Sequence, residues 1–481
     1  MLFNSLAFAI FLPTVFLIYW LALRSRMGRN LFILAVSYLF YGWWDWRFLL
    51  LIALTTACSY ISGLQIARAE KKGTSLQRRL WLWGNVGLNL GILILFKYYN
   101  FFVNSASALL AQFGITLDSV TLNLILPVGI SFYTFQALSY TIDVYRRQIE
   151  PTRDIVAFFA FISFFPQLVA GPIERATNLL PQFLRQRSFD YTASVDGCRQ
   201  ILWGLFKKMV VADNCALIAN TVFGIWETTG GINLWIGALA FTFQIYGDFS
   251  GYSDIAIGTA KLFGINLMRN FNVPYFSRDI AEFWRRWHIS LTSWFRDYIY
   301  IPLGGSRCSK GKVVRNTFII FLTSGLWHGA NWTFIAWGGY HALLFLPLIL
   351  RGKNRKYRDT IASGRRMPTM RESTLMAVTF LLVLIGWIIF RSDTISEAAG
   401  YIVRMFTDWS LHSGIPGKRY FIWVAVMLVV EWVLREHRHT FDIQGHGLLK
   451  YRLVRWGLYL GIACLCIFDQ GSRSEFIYFQ F

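Results

Sequence analysis

An all-α, polytopic membrane fold is what this 481-residue sequence predicts, on three observations. Hydrophobic residues make up 55% of the chain and charged ones 15%, where a soluble chain has about 25% charged. Long apolar runs recur from Phe3 to Ile467. The basic residues behind the formal net charge of +21 gather in the stretches between those runs. Lipid cannot satisfy backbone polar groups, so such runs must be helices, and a β-barrel would show short alternating segments instead. The same placement makes the positive balance a matter of membrane topology and not of nucleic-acid binding.

The spans read as 3–23, 30–45, 47–67, 81–97, 122–144, 199–222, 233–259, 316–328, 331–350, 374–391, 420–435 and 451–468. With the N-terminus outside, segments 24–30, 68–80, 145–153, 172–208, 261–315, 351–373 and 435–455 face inward and hold most of the 47 Lys and Arg. The first run has no basic n-region, is followed by Arg24, Arg26 and Arg29, and outlasts a signal h-region. It therefore reads as a retained span. The six cysteines are scattered without a CxxC pair, as small buried residues and not as metal ligands. Without an internal repeat or a low-complexity linker, residues 1–481 read as one integral domain.

Two segments depart from simple spans. Residues 154–171 are apolar but flanked by arginines on both sides, and they contain Phe164-Phe165-Pro166-Gln167 and end at Gly171-Pro172. They read as a re-entrant or broken helix buried in protein, or else as a kinked span. In 261–315, Ser277 before Asp279 and Glu282 suits a helix N-terminus. The following Phe283 to Leu291 reads as a helix in the interface plane, with Trp284 and His288 on one face.

The polar groups inside the apolar runs carry the functional question. His328 sits in an uncharged stretch with Ser324, Trp327 and Asn331. An ionisable group at membrane depth is expensive, so it marks a functional site unless it is a satisfied structural histidine. The run from Asn316 to Trp327 is too short to cross a bilayer of roughly 30 Å. Either the chain turns near Gly329, or 316–350 is one long tilted helix. His341 reads as structural. His288 is either a partner of His328 or, with Arg285 and Arg286, part of an anionic-donor mouth; lipid phosphates are the alternative partner of those cations. Asp248, Ser250 and Tyr252 in one span, and Ser131, Tyr133, Gln136 and Asp143 in another, suit either a tunnel lining or interhelical hydrogen bonds. Gln167 joins them from the broken segment. The aromatic end, Phe476 to Phe481, falls on the outer side, as an interfacial anchor or as a group presented to His328.

Ser324-Gly325-Leu326-Trp327-His328-Gly329, the Trp284-Arg285-Arg286-Trp287-His288 run, Gly247 to Tyr252, the start Phe3 to Phe8 and the end Phe476 to Phe481 together resemble the membrane-bound O-acyltransferase (MBOAT) family. They most closely resemble its bacterial, alginate O-acetyltransferase subunit I type branch, and the resemblance covers essentially the whole chain. It implies about 11–13 transmembrane helices, with re-entrant and interfacial helices, around a tunnel from a cytoplasmic donor mouth to an outer funnel. By the same resemblance His328 is the catalytic histidine, His288 the second histidine, and Tyr478 a tyrosine that receives the acyl group. An extracytoplasmic SGNH-type, esterase-like partner would then pass that group to a polysaccharide.

The expected activity is acyl transfer in the bacterial inner membrane, with both termini outside. Acetyl-CoA or another acyl thioester is the donor substrate, and no cofactor is permanently bound. A buried neutral imidazole suits general-base work on an attacking hydroxyl, with Ser324, Asn331 or His288 available for the oxyanion. The acceptor is alginate-like, with peptidoglycan or cellulose as alternatives. Rival readings are a polysaccharide or ion transporter relaying charge through Asp248, Asp254 and His328, a non-catalytic scaffold, or D-alanyl transfer to teichoic acid.

Overall fold

In a computed structural model of the chain, residues 1–115, 121–122, 124–169, 171–411, 414, 417–442, 447–472, 474 and 476–477 are described. They form helices and turns, with no strand among the described residues. The helices fall into two compact units, Met1–Ser194 with Thr259–Leu267, and Val195–Gly258 with Met268–Phe481.

The first unit holds α1 (Leu6–Leu17), α2 (Arg26–Gly42), α3 (Phe48–Lys71), α4 (Ser75–Leu93), α5 (Tyr99–Ala111), α6 (Ile130–Tyr145), α7 (Ile155–Ser163), α8 (Phe165–Leu168) and α9 (Ala176–Leu184). A wide turn joins α4 to α5, so Ser75–Ala111 runs for 37 residues, well beyond the expected 81–97. Conversely α6 begins at Ile130, after Gly129 in the left-handed region (φ 74°), and not at 122. Asn85 binds α6 by donating to Thr141 Oγ1 (2.7 Å) and α3 by accepting from Ser59 Oγ (3.2 Å). Such interhelical bonds stand in for the hydrophobic drive that lipid does not supply.

Segment 154–171 is the broken helix the sequence predicts. Phe164 leaves helical geometry (ψ 108°) between α7 and α8, which frees backbone groups in a buried place. Gln136 and Gln167 each donate from Nε2 to Phe161 O (2.8 and 3.2 Å), and Gln167 also donates to Gln136 Oε1 (2.9 Å). Phe165 N finds Ser37 Oγ at 3.1 Å. These two glutamines, read from the sequence as tunnel lining or as interhelical hydrogen bonds, are the glue of the broken helix.

The second unit begins with α10 (Tyr191–Leu205), whose first turn falls in the first unit, and continues through a wide turn over Phe206–Ala212 into α11 (Asp213–Gly224). The 32-residue α12 (Gly231–Leu262) follows. Then come α13 (Ile280–Arg286), α14 (Ile289–Phe295), α15 (Lys310–His328), α16 (Trp332–Leu350), α17 (Met370–Arg391), α18 (Ile395–Thr407), α19 (Phe421–Val433) and α20 (Arg452–Phe468). Among the described residues, four helices are long and apolar enough on their own to cross a membrane: Phe48–Lys71, Ser75–Ala111, Trp332–Leu350 and Met370–Arg391.

The second unit departs from the sequence reading in three ways. First, α15 starts at Lys310, not at Asn316, and its 19 residues are about 28 Å long. Second, the expected interfacial helix is two short helices broken at Trp287–His288, with Phe283, Trp284, Trp287, Leu291, Trp294 and Phe295 buried. Helical i, i+4 spacing therefore does not relate Trp284 to His288. Third, Asp279 and not Ser277 caps α13, accepting from Glu282 N at 2.7 Å, while Ser277 Oγ donates to Pro274 O. The amphipathic α18 falls in a stretch where no element was expected.

Candidate functional site: a line of rings through the second unit

α15 and α16 form a helical hairpin that turns at Gly329, which decides between the two readings of 316–350. A Cβ on Gly325 would overlap the Phe334 carbonyl oxygen, and one on Gly338 would overlap that of Phe321. Only backbone fits at either crossing, so the two helices lie against each other and bring the last turn of α15 against the first turns of α16. That turn carries Trp327 and His328, both buried. Ser324 is also buried, one turn earlier on the face of His328. Asn331 is not part of this constellation. It caps α16 by accepting from Thr333 N (3.1 Å) and donates to Asp393 O (2.9 Å).

His288 is placed by contacts far from it in sequence. Ile289 N donates to Asn270 O and Asn272 N to Arg286 O, both at 2.9 Å, so two chain segments run side by side. Between them His288 is held in the left-handed region (φ 44°), which L side chains rarely adopt. Asn270 Oδ1 accepts from Ser290 Oγ (2.9 Å) and lies 3.1 Å from His288 Nδ1. An amide oxygen only accepts, so the ring proton is on Nδ1, and Nε2 carries the lone pair. Burial pushes this imidazole from its ordinary 6.5 down to about 3, so it is neutral. Asn270 was not picked out from the sequence; the pairing that gives it meaning spans eighteen positions.

Ring contacts connect these groups. Trp284 meets His341 at 5.0 Å, His341 meets Trp337 at 5.0 Å, and Trp337 meets His328 at 5.1 Å. From His328 the line continues to Trp327 (5.0 Å), His288 (5.8 Å), Phe249 (4.6 Å) and Phe476 (6.1 Å). His341, read from sequence as structural, is fully buried with no hydrogen-bond partner for either nitrogen among the described residues. The indole N–H groups of Trp284 and Trp337 share that condition.

The two ends of this line are anchored by charge. Arg285, expected at an anionic-donor mouth, donates to Asn354 O (2.5 Å) and Tyr357 O (2.6 Å). Arg286 binds Glu282 Oε1 (2.8 Å) and Asp359 O (2.9 Å), and Arg278 shares both acidic neighbours. These arginines hold the 354–359 segment as a strap, and Arg355, Lys356 and Arg358 in it, with Lys353 just before it, are exposed. At the other end lies α12. Its Gly251 meets Gly204 of α10 backbone to backbone, which brings the Phe206–Ala212 turn beside it. Lys208 is thereby 2.8 Å from Asp248 Oδ1, and Lys207 pairs with Asp254 at 2.5 Å.

The expected residues therefore separate. His328, Trp327, Ser324 and His288 come together, and Asp248 and Tyr252 reach the C-terminal segment: Asp248 Oδ2 accepts from Ile477 N (2.7 Å), and Tyr252 packs on Phe476 (4.3 Å). Ser250 is buried next to them on α12. Ser131 and Tyr133 are buried in the first unit, with Gln136 and Gln167. Tyr478 lies outside the described residues.

Residues 146–367 match the model of the membrane-bound O-acyltransferase family. The chain is 42% identical to a protein named probable alginate O-acetylase from Pseudomonas putida, over the whole of both chains. It is 31% identical to a peptidoglycan O-acetyltransferase of Helicobacter pylori, over 100% of this chain and 98% of that one. A teichoic acid D-alanyltransferase of Bacillus subtilis is 30% identical over 56% of this chain and 69% of its own length.

Proposed function

The chain belongs to the membrane-bound O-acyltransferase family, in its alginate O-acetylase branch, and from that premise we propose that it carries acetyl groups across the bacterial inner membrane to a polysaccharide. The donor is acetyl-CoA on the cytoplasmic side, and the acceptor is an extracytoplasmic, alginate-like polymer. The observation that carries the reading is the unbroken line of rings from Trp284 through His328 and His288 to Phe476. It supports one site reached from two ends.

At the strap end, the exposed cations at 353–358 suit the phosphates of CoA. Arg285 and Arg286 serve there by holding the strap. The buried N–H groups of Trp284 and Trp337 and the two nitrogens of His341 suit the amides of the pantetheine arm, since buried polar groups are normally paired. The thioester then reaches His328. This imidazole takes the proton of the attacking hydroxyl, which we assign to Tyr478. The phenol oxygen bonds to the thioester carbonyl carbon, the C–S bond breaks, and the CoA thiolate leaves with the proton from the imidazolium. An SGNH-type partner outside moves the acetyl from tyrosine to the sugar.

The hydrogen bonds narrow the supporting roles. Asn331 is engaged in its cap, and His288 presents a lone pair at Nε2. Ser324 is thus the side chain of the three suited to donate to the oxyanion, and His288 is suited to orient or relieve the attacking hydroxyl. One general base contributes about 10²–10⁴-fold in rate. His328→Ala should therefore lower CoA release from acetyl-CoA by about that factor, measured in nanodiscs with partner and polymer present. Undiminished release in that variant would defeat the mechanism, and no release from the unaltered chain would favour a transporter.

A further inference from the structure

One cluster of buried charge is not used by the chemistry above. Lys208 lies between two carboxylates, 2.8 Å from Asp213 Oδ1 and 2.8 Å from Asp248 Oδ1, and all three side chains are at most 2% exposed. One lysine cannot satisfy every lone pair of two carboxylates, and the described residues of the C-terminal segment supply further donors. Ser474 Oγ donates to Asp213 Oδ1 (2.6 Å) and Ile477 N to Asp248 Oδ2 (2.7 Å), one donor for each carboxylate. Lys208 in turn donates to Ser474 O at 3.2 Å.

The approach is built for this segment. A Cβ on Gly471 would overlap the Asp213 backbone, so only glycine lets the chain pass there. Gly471 N donates to Met209 O (3.1 Å), and Asn214 Nδ2 donates to Asp469 O (2.9 Å). Trp423 Nε1 donates to the Asp469 carboxylate. Phe476 then packs on Tyr252 (4.3 Å) and meets Phe249, which touches His288.

We propose that the Lys208–Asp213–Asp248 cluster is a docking site for the chain's own C-terminal segment, and that Asp248, through the Ile477 amide, is a positioning residue that sets the register of the segment carrying Tyr478. The second half rests on the reading of Tyr478 as acyl acceptor. Removing the segment would take one hydrogen-bond donor from each carboxylate, which favours the docked state. The charge also fixes register: a shift of one residue would bring a different amide to Asp248.

The test uses the full chain in nanodiscs and two variants, Asp248→Ala and Ile477→Pro. The second removes the donating N–H, together with the buried Ile477 side chain, and leaves the Lys208–Asp213–Asp248 side chains in place. Hydrogen exchange of the C-terminal peptide should rise about tenfold in both, because a hydrogen bond to a charged group is lost. CoA release should fall about tenfold as well, with KM for acetyl-CoA unchanged; a general structural defect would move KM too. Unchanged exchange in both variants overturns the docking site. Raised exchange together with normal CoA release in Tyr478→Phe supports the docking site and removes the acceptor role of Tyr478.

Discussion

His288 concentrates more physical information than any other single residue of the site. A left-handed backbone at a non-glycine residue costs about 1–3 kcal/mol and persists where the surroundings over-determine it. Here the Asn270 and Asn272 pairings do so. The linkage follows from the burial of the ring. Its folded pKa lies near 3 against 6.5 unfolded, so below 6.5 the unfolded chain binds the extra proton. Its contribution is complete above pH 6.5 and is lost as pH falls toward 3, at no more than about 1.4 kcal/mol per unit. The unfolding temperature should therefore fall between pH 7 and 5, and His288→Asn should flatten that slope; an equal slope in both proteins would contradict the burial account. The sequence disclosed that His288 stands beside arginines and tryptophans. It hid the tautomer, because Asn270 is distant in the chain and nothing local marks it.

At the scale of elements, the hairpin of α15 and α16 positions His328. Its turn was one of two readings the sequence left open, since an over-short apolar run ending at Gly329 allows either a turn there or one long tilted helix. Its true start was not legible, because Lys310, Lys312 and Arg315 read as loop charge although they form the first turns of the helix. Gly325→Ala should wedge α15 from α16 at the Phe334 carbonyl. Overpacking of this kind costs about 1–3 kcal/mol. It should lower both the melting temperature and CoA release, because His328 follows in the next turn, and wild-type values of both would refute the packing argument. The break at His288 was the least legible feature. Phe283 to Leu291 has helical periodicity, and only the side-by-side pairing with 270–272 overrides it. The broken segment near Phe164 was readable from its proline and glycine, and its stabilisation by Gln136 and Gln167 shows why polar residues were needed there.

For the whole molecule, composition and charge placement disclose the all-helical membrane class, and the family membership agrees with it. Polar residues within spans were weaker guides, because the same side chains serve as glue and as site. Gln136 and Gln167 joined the first purpose, while Asp248 and Tyr252 serve the C-terminal segment. Local sequence cannot separate these uses, since each depends on which helix arrives opposite. The line of rings from Trp284 to Phe476 gives the second unit a direction, with cations at one end and the tail at the other. The central claim is that an acetyl group travels along this line through His328 to the tail. The most direct measurement is the mass of the C-terminal peptide after incubation of the full chain with isotope-labelled acetyl-CoA in the absence of polymer. The account predicts one labelled acetyl group on Tyr478, absent in His328→Ala. CoA release with no label on Tyr478, or a label that survives His328→Ala, would contradict it.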